Sequence, residues 1–153
     1  MMIRPFLYRL LRDEAGSSVV ELGLVMPVFL MTALGGADFV MGFGKKLEVQ
    51  QFAQSGADFV LASGESIPSD SEVAAEVAAA SGLPTSAVTV SKFTECNAVK
   101  ATTYGQCSGT SAVQANYMAI TVTDTYTPVL NIPGIAAFAQ TTALKGKVTV
   151  RIP

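Results

Sequence analysis

The chain has 153 residues, with 10 Lys and Arg against 12 Asp and Glu, no His, no Trp and two Cys. Half of it is hydrophobic and only 14% is charged, against about 25% in an average soluble domain, which excludes a disordered chain and fits an ordinary soluble domain poorly. A net charge of −2 gives no basis for a nucleic-acid partner, and without His the commonest general base and metal ligand are missing. Two Cys without His do not complete a four-ligand zinc site unless carboxylates fill in. The composition argues against an enzyme.

The first sixteen residues, MMIRPFLYRLLRDEAG, carry Arg4, Arg9 and Arg12. An apolar run then extends from Val19 to Phe43 with two charges, Glu21 and Asp38. As a helix it reaches about 37 Å, enough to cross a hydrocarbon core of about 30 Å. Pro27 is better tolerated in a spanning helix than in a soluble one. Gly23, Gly35, Gly36 and Gly42 allow close approach of neighbouring helices. Lys45 and Lys46 close the run, so the basic count of three to two favours a cytoplasmic N-terminus.

From Lys45 to Ser63 the helix continues in amphipathic form. Val49, Phe52, Ala53, Gly56, Phe59 and Val60 make one stripe, which predicts packing on the chain's own C-terminal part. Gly64 to Pro68 breaks the helix. Ser69 and Glu72 form a capping box for a short helix that Gly82 and Pro84 end. Beyond Pro84 the period changes to two. Ala87–Glu95, Ala115–Thr127 and Ala143–Ile152 read as three antiparallel strands with one buried face. Pro128, Pro133 and Gly134 mark an irregular connection between the last two. The fold class is α+β: a long N-terminal helix, spanning in its first half and amphipathic in its second, packed on a small antiparallel sheet with one short extra helix.

Cys96 and Cys107 flank a Thr/Gly/Ser-rich stretch and close a short disulfide loop if the compartment is oxidising. The alternative is two reduced thiols in a cytosolic domain. Gly105-Gln106-Cys107-Ser108-Gly109 fits a nucleophile elbow in spacing, but that device needs a His and a strand–turn–helix. Gly42-Phe43-Gly44-Lys45-Lys46 lacks phosphate-loop spacing and reads as a membrane exit whose lysines meet headgroups. Glu72 and Glu76 lie at i, i+4 and read as a solvated face.

Glu21 is the informative residue, because a carboxylate in a spanning helix is costly unless paired or near an interface. Counting back through Gly16-Ser17-Ser18-Val19-Val20-Glu21, a break after Gly16 puts Glu21 at the fifth mature position. Basic residues precede this point and an apolar run follows. The arrangement resembles the processing site of type IV prepilins and pseudopilins. Cleavage creates an ammonium at Ser17, which the Glu21 of a neighbouring subunit can neutralise in a dry helix bundle. Within that class, Arg12-Asp13-Glu14-Ala15-Gly16 through Val20-Glu21-Leu22, then Leu24-Val25-Met26-Pro27, resembles the TadE-like minor pseudopilins of the tight-adherence (Flp) pilus system. Tyr117 to Pro128 and Val148 to Ile152 loosely resemble that family's last strands. Leu22 departs from the family, which usually has an aromatic there.

The resemblance implies a structural subunit with no activity or cofactor of its own. Its partners would be a prepilin peptidase, other pseudopilins, the major pilin, an inner-membrane assembly platform and, before assembly, membrane lipid. The expected organisation is a cytoplasmic leader (1–16), a transmembrane and assembly helix (17–44) and an extracytoplasmic α+β domain (45–153). The chain would sit in the inner membrane, single-pass, with its C-terminal domain periplasmic, or in the pilus. Two rivals remain from the sequence. One is a secretory signal peptide cut after Ala33-Leu34-Gly35 to release a small binding domain. The other is an uncleaved anchor carrying such a domain.

Overall fold

The computed structural model describes residues 17–108, 112–129 and 141–153. The expected leader and the connection at Pro133 and Gly134 lie outside the described residues. The first element, α1, is one helix over Ser17–Ala62, 46 residues with Pro27 inside it. Its length is about 69 Å. Such a helix cannot be explained by one solvent, and its surface divides accordingly. Val19, Val20, Leu22, Leu24, Val25, Val28, Phe29, Leu30 and Leu34 are exposed, whichever side of the helix they occupy. Val49, Ala53, Ala57 and Val60 are buried under the rest of the chain.

A second helix, α2, spans Asp70–Ser81. The capping box forms as expected: the Glu72 amide donates to Ser69 Oγ (3.2 Å), and the Ser69 amide donates to Glu72 Oε2 (2.7 Å). The Ser69 amide, and then the Ser69 hydroxyl, donate to the Glu72 carboxyl and hold it below its ordinary pKa. Gly82 ends the helix with φ +70°, which a side chain would resist. A turn of 3₁₀ helix at Thr85–Ala87 leads into the sheet.

The sheet comprises β1 (Val88–Cys96), β2 (Val99–Lys100), β3 (Gln114–Tyr126) and β4 (Thr142–Ile152), all antiparallel, in the order β2-β1-β3-β4. Val90 pairs with Ile120, and Met118 with Val150. The period of two therefore sends Val88, Met118, Ile120, Val122, Val150 and Ile152 to one face. There they form one core with the α1 stripe and with Val73 and Val77 of α2. The expected three strands are present, within a residue or two at their ends. The fourth, β2, is two residues joined to β1 through Asn97 and Ala98, both at positive φ (53° and 64°). That turn suits Asn and strains Ala, and a two-residue strand has no period to detect.

Two glycines set how closely the layers approach. A Cβ at Gly56 would lie 2.7 Å from Val77 Cγ2 and 3.1 Å from Ile120 Cδ1. One at Gly146 would lie 2.7 Å from the carbonyl carbon of Val49 and 2.9 Å from Gln50 Cα. The latter atoms are helix backbone and cannot yield as a side chain can. Beside Gly146, the Gln50 side-chain amide pairs with β4's outer edge. Its Nε2 donates to the Lys147 carbonyl (2.9 Å), and its Oε1 accepts from the Lys147 amide (3.2 Å). Lys46 Nζ donates to the Lys145 carbonyl. An edge strand that would otherwise offer unpaired backbone is thereby fastened to α1.

Gly146→Ala is expected to destabilise the folded protein by roughly 1–3 kcal/mol through overpacking against backbone. Gly44→Ala, which meets open space, should be neutral or stabilising by up to about 1 kcal/mol. Chemical denaturation of both variants in detergent checks the contrast.

Candidate functional site

The described residues offer little that could do covalent chemistry. Two surface hollows, of about 420 and 670 Å³, lie at the end of the sheet away from the bare helix. The first is lined by one charged side chain, Arg151, and the second by one, Lys100. Neither sets an acid beside a base. The site with structure behind it is α1 itself and its passage into the folded head.

Ser17 is the first described residue of α1, and Gly16 lies outside the described residues. Glu21 follows one turn later, exposed on the bare part of the helix, and among the described residues no hydrogen-bonding or ionic partner reaches it. Pro27 lies within the unbroken helix. The segment Gly42–Lys46 is helical throughout, so it presents no phosphate-binding loop.

Among the described residues, the head first touches α1 at Asp38, inside the 17–44 stretch expected to span. Asp38 is 6% exposed. Its Oδ1 accepts from the Tyr126 hydroxyl (2.5 Å) and from the Val129 amide (3.0 Å). Tyr126 Oη also lies 3.1 Å from the Asp38 carbonyl oxygen. One turn on, Gly42 makes room for the ring, since a Cβ there would stand 3.1 Å from Tyr126 Cε1. Lys45 then bridges to Glu48 (2.9 Å) and to Asp124 of β3 (3.2 Å). Bonds to Glu48 and Asp124 raise the Lys45 pKa. Sequence reasoning noted Asp38 only as a charge in an apolar run. Its partners are about ninety residues away, at the end of β3, and no local pattern could have supplied them.

At the other end of the sheet the Cα atoms of Cys96 and Cys107 stand 5.6 Å apart, a separation that a disulfide spans. The loop between them is seated on Thr94, which is 1% exposed. Thr94 Oγ1 accepts from the Gly105 amide (2.7 Å) and lies 2.8 Å from Asn116 Oδ1. Its carbonyl accepts from the Ala101 amide (2.8 Å). Gly105 has φ +77° in this loop, and the strand–turn–helix that a nucleophile elbow needs is not built here.

Among the described residues, a single helix long and apolar enough to cross a membrane, continuing into the scaffold of a small α+β head, defines the class. Residues 16–58 match the model of the family described as TadE-like protein, the family the sequence resembles. The match starts at Gly16, takes in Glu21 and Asp38, and ends within the head-covered part of α1. The match associates the chain with the Tad pilus, through a family of structural proteins not known as enzymes. No curated protein and no solved structure matches the chain.

The clasp makes a pH prediction. The hydrogen bond to Asp38, then burial and the carboxylate's charge, raise the Tyr126 pKa above 10. The folded state thus holds this proton more tightly than the unfolded state. Its contribution is intact below about pH 10 and is lost as pH rises through the raised folded value. Ultraviolet titration should show one late-ionising tyrosine that Tyr126→Phe removes. Asp38→Ala should cost about 1–2 kcal/mol, with faster hydrogen exchange at Val129 as the local readout.

Proposed function

We propose that this chain is a minor pseudopilin-like structural subunit, cleaved by a prepilin peptidase between Gly16 and Ser17, that takes part in assembling a tight-adherence type IV pilus. The observation that carries the proposal is the coincidence of two positions. The family match begins at Gly16, and the carboxylate of Glu21 stands exposed on α1 five residues later. Residues 1–16 are the cytoplasmic leader, α1 anchors the precursor and later packs in the assembly, and the head is extracytoplasmic.

The head's docking refines the boundary of the span. Irregular backbone exposed to lipid is excluded from the hydrocarbon layer. The segment following β3 touches Asp38, which supports a layer that ends there rather than at residue 44. Ser17 to Ala37 then spans about 30 Å, the thickness of a hydrocarbon core. Glu21 lies only about 6 Å from the start of that stretch, close enough to the cytoplasmic interface to moderate its cost before assembly. In a packed bundle the same carboxylate meets the Ser17 ammonium of a neighbouring subunit. There the pair loses water and its geometry fixes the axial register.

An extracytoplasmic head accounts for the cysteines. In an oxidising compartment Cys96 and Cys107 are held as the disulfide, which closes the loop seated on Thr94. The partners are the peptidase, other pseudopilins and the major pilin, the inner-membrane platform, and lipid before assembly.

The test is a pair of variants expressed in a cell with the pilus machinery. Gly16→Phe is expected to leave the precursor uncut, because a bulky residue stands where the peptidase needs a small one. Glu21→Ala is expected to be cut but to lose most of its co-purification with the other pilus subunits. Normal maturation of Gly16→Phe would refute the processing site. Unchanged co-purification of Glu21→Ala would refute the register role.

A further inference from the structure

Folding brings lysines from opposite ends of the chain to the point where α1 leaves its bare section. Lys45 and Lys46 are neighbours in sequence but part company in the fold. Lys45 is committed to Glu48 and Asp124. Lys46 turns to the outer edge of β4, donates to the Lys145 carbonyl, and remains exposed. Lys145 and Lys147 alternate with the buried Gly146, so their side chains emerge on the exposed face of the sheet. The Gln50 amide holds this edge in place through Lys147. Four lysines therefore meet two acids, and the β4 side keeps the excess positive charge.

The height of this patch decides what it can reach. Lys46 lies eight residues past Asp38, about 12 Å along the axis. The headgroup layer is roughly 5–8 Å deep on each side of the hydrocarbon. Helical side chains tilt toward the N-terminus, here toward the bilayer, and a lysine stem can extend so that its ammonium meets the interface. Lys145 is level with Lys46, because the two are hydrogen-bonded. Lys147 is level with Gln50, about one turn farther out, and lies beyond direct reach. Phe39 and Phe43, both exposed, precede Lys46 and Gln50 on the same side of α1 at i, i+4, i+7 and i+11, so an apolar flank enters the bilayer below the charges.

We infer that Lys46 and Lys145 form a basic collar at the membrane exit that binds the phosphates of anionic lipid headgroups in the leaflet beside the head. The inference rests on the reading of residues 17–37 as a membrane span. The collar orients the β4 side of the head toward the bilayer while the subunit waits in the membrane. It also leaves a lipid-binding contact to be broken when α1 is withdrawn into an assembly. A count of charges flanking the span misses it, since Lys145 lies almost a hundred residues beyond Lys46.

The full chain is placed in nanodiscs of equal phosphatidylcholine and phosphatidylglycerol, released, and weighed with its retained lipids by native mass spectrometry. The wild type is expected to retain phosphatidylglycerol preferentially. K46Q/K145Q should lose that preference several-fold, whereas K100Q, at the far end of the sheet, should keep it. Matching circular dichroism and denaturation curves establish that the variants fold. If folding of the double variant is impaired, K145Q alone, whose carbonyl still serves Lys46, is the variant read. Equal retention by wild type and K46Q/K145Q would overturn the collar. So would phosphatidylglycerol displaced by inorganic phosphate, which would mark a general anion site. A chain that fails to enter nanodiscs at all would instead refute the membrane span.

Discussion

The carboxylate of Asp38 stands where α1 changes from a helix that no other described residue covers to a helix covered by its own head. A buried carboxylate is tolerable only with donors around it. Tyr126 and Val129 supply them from the end of β3 and the residues after it. This contact ties the first half of the molecule to the second. Below it nothing from the described residues covers the apolar surface. Above it the head is fastened step by step, by the Tyr126 ring over Gly42, Lys45 to Asp124, Lys46 to Lys145 and Gln50 to Lys147. A helix about 69 Å long can serve as membrane anchor and as core element because these contacts begin at a defined turn.

The second constraint is closeness. The core is built largely from Val, Ala and Ile around one Met, and its layers meet at glycines. Gly56 admits Val77 and Ile120, and Gly146 lets β4 lie on the backbone of α1. A sheet of four strands, one only two residues long, has a small core of its own. The upper half of α1 supplies the missing layer. Any displacement of α1 therefore moves the head with it, because the described residues give the head no separate scaffold. A subunit that joins an assembly through one part of a helix and displays a domain on the other needs that coupling.

Much of this was legible in the sequence because burial is periodic. The stripe from Val49 to Val60 and the alternation in Met118, Ile120 and Val122 each report a buried face, and the structure buries them. Ser69, Glu72 and Gly82 bracket α2 because caps are local chemistry. The contacts that position the head were not legible. Asp38 with Tyr126, Gly146 with Val49 and Lys46 with Lys145 join residues about ninety or more positions apart, and none leaves a local pattern. The Asn97–Ala98 turn was missed for another reason, since Ala at positive φ is a residue that turn chemistry disfavours. The apolar run and Glu21 were conspicuous, but where the head begins to cover the helix was not. The run of hydrophobic residues continues through Phe43, while the folded head claims the helix from Asp38 onward.

The measurement that bears most directly on this account is the N-terminal sequence and intact mass of the protein taken from its native membrane without reducing agent. The account predicts a chain that begins at Ser17 and is lighter than the reduced form by the two hydrogens lost when Cys96 and Cys107 join. A chain beginning at Gly36 would mean that the lower half of α1 is discarded as a signal peptide. A chain beginning at Met1 would mean that no peptidase acts on Gly16. Either result would contradict the claim that α1 is kept whole, with a new amine at Ser17, to build a pilus.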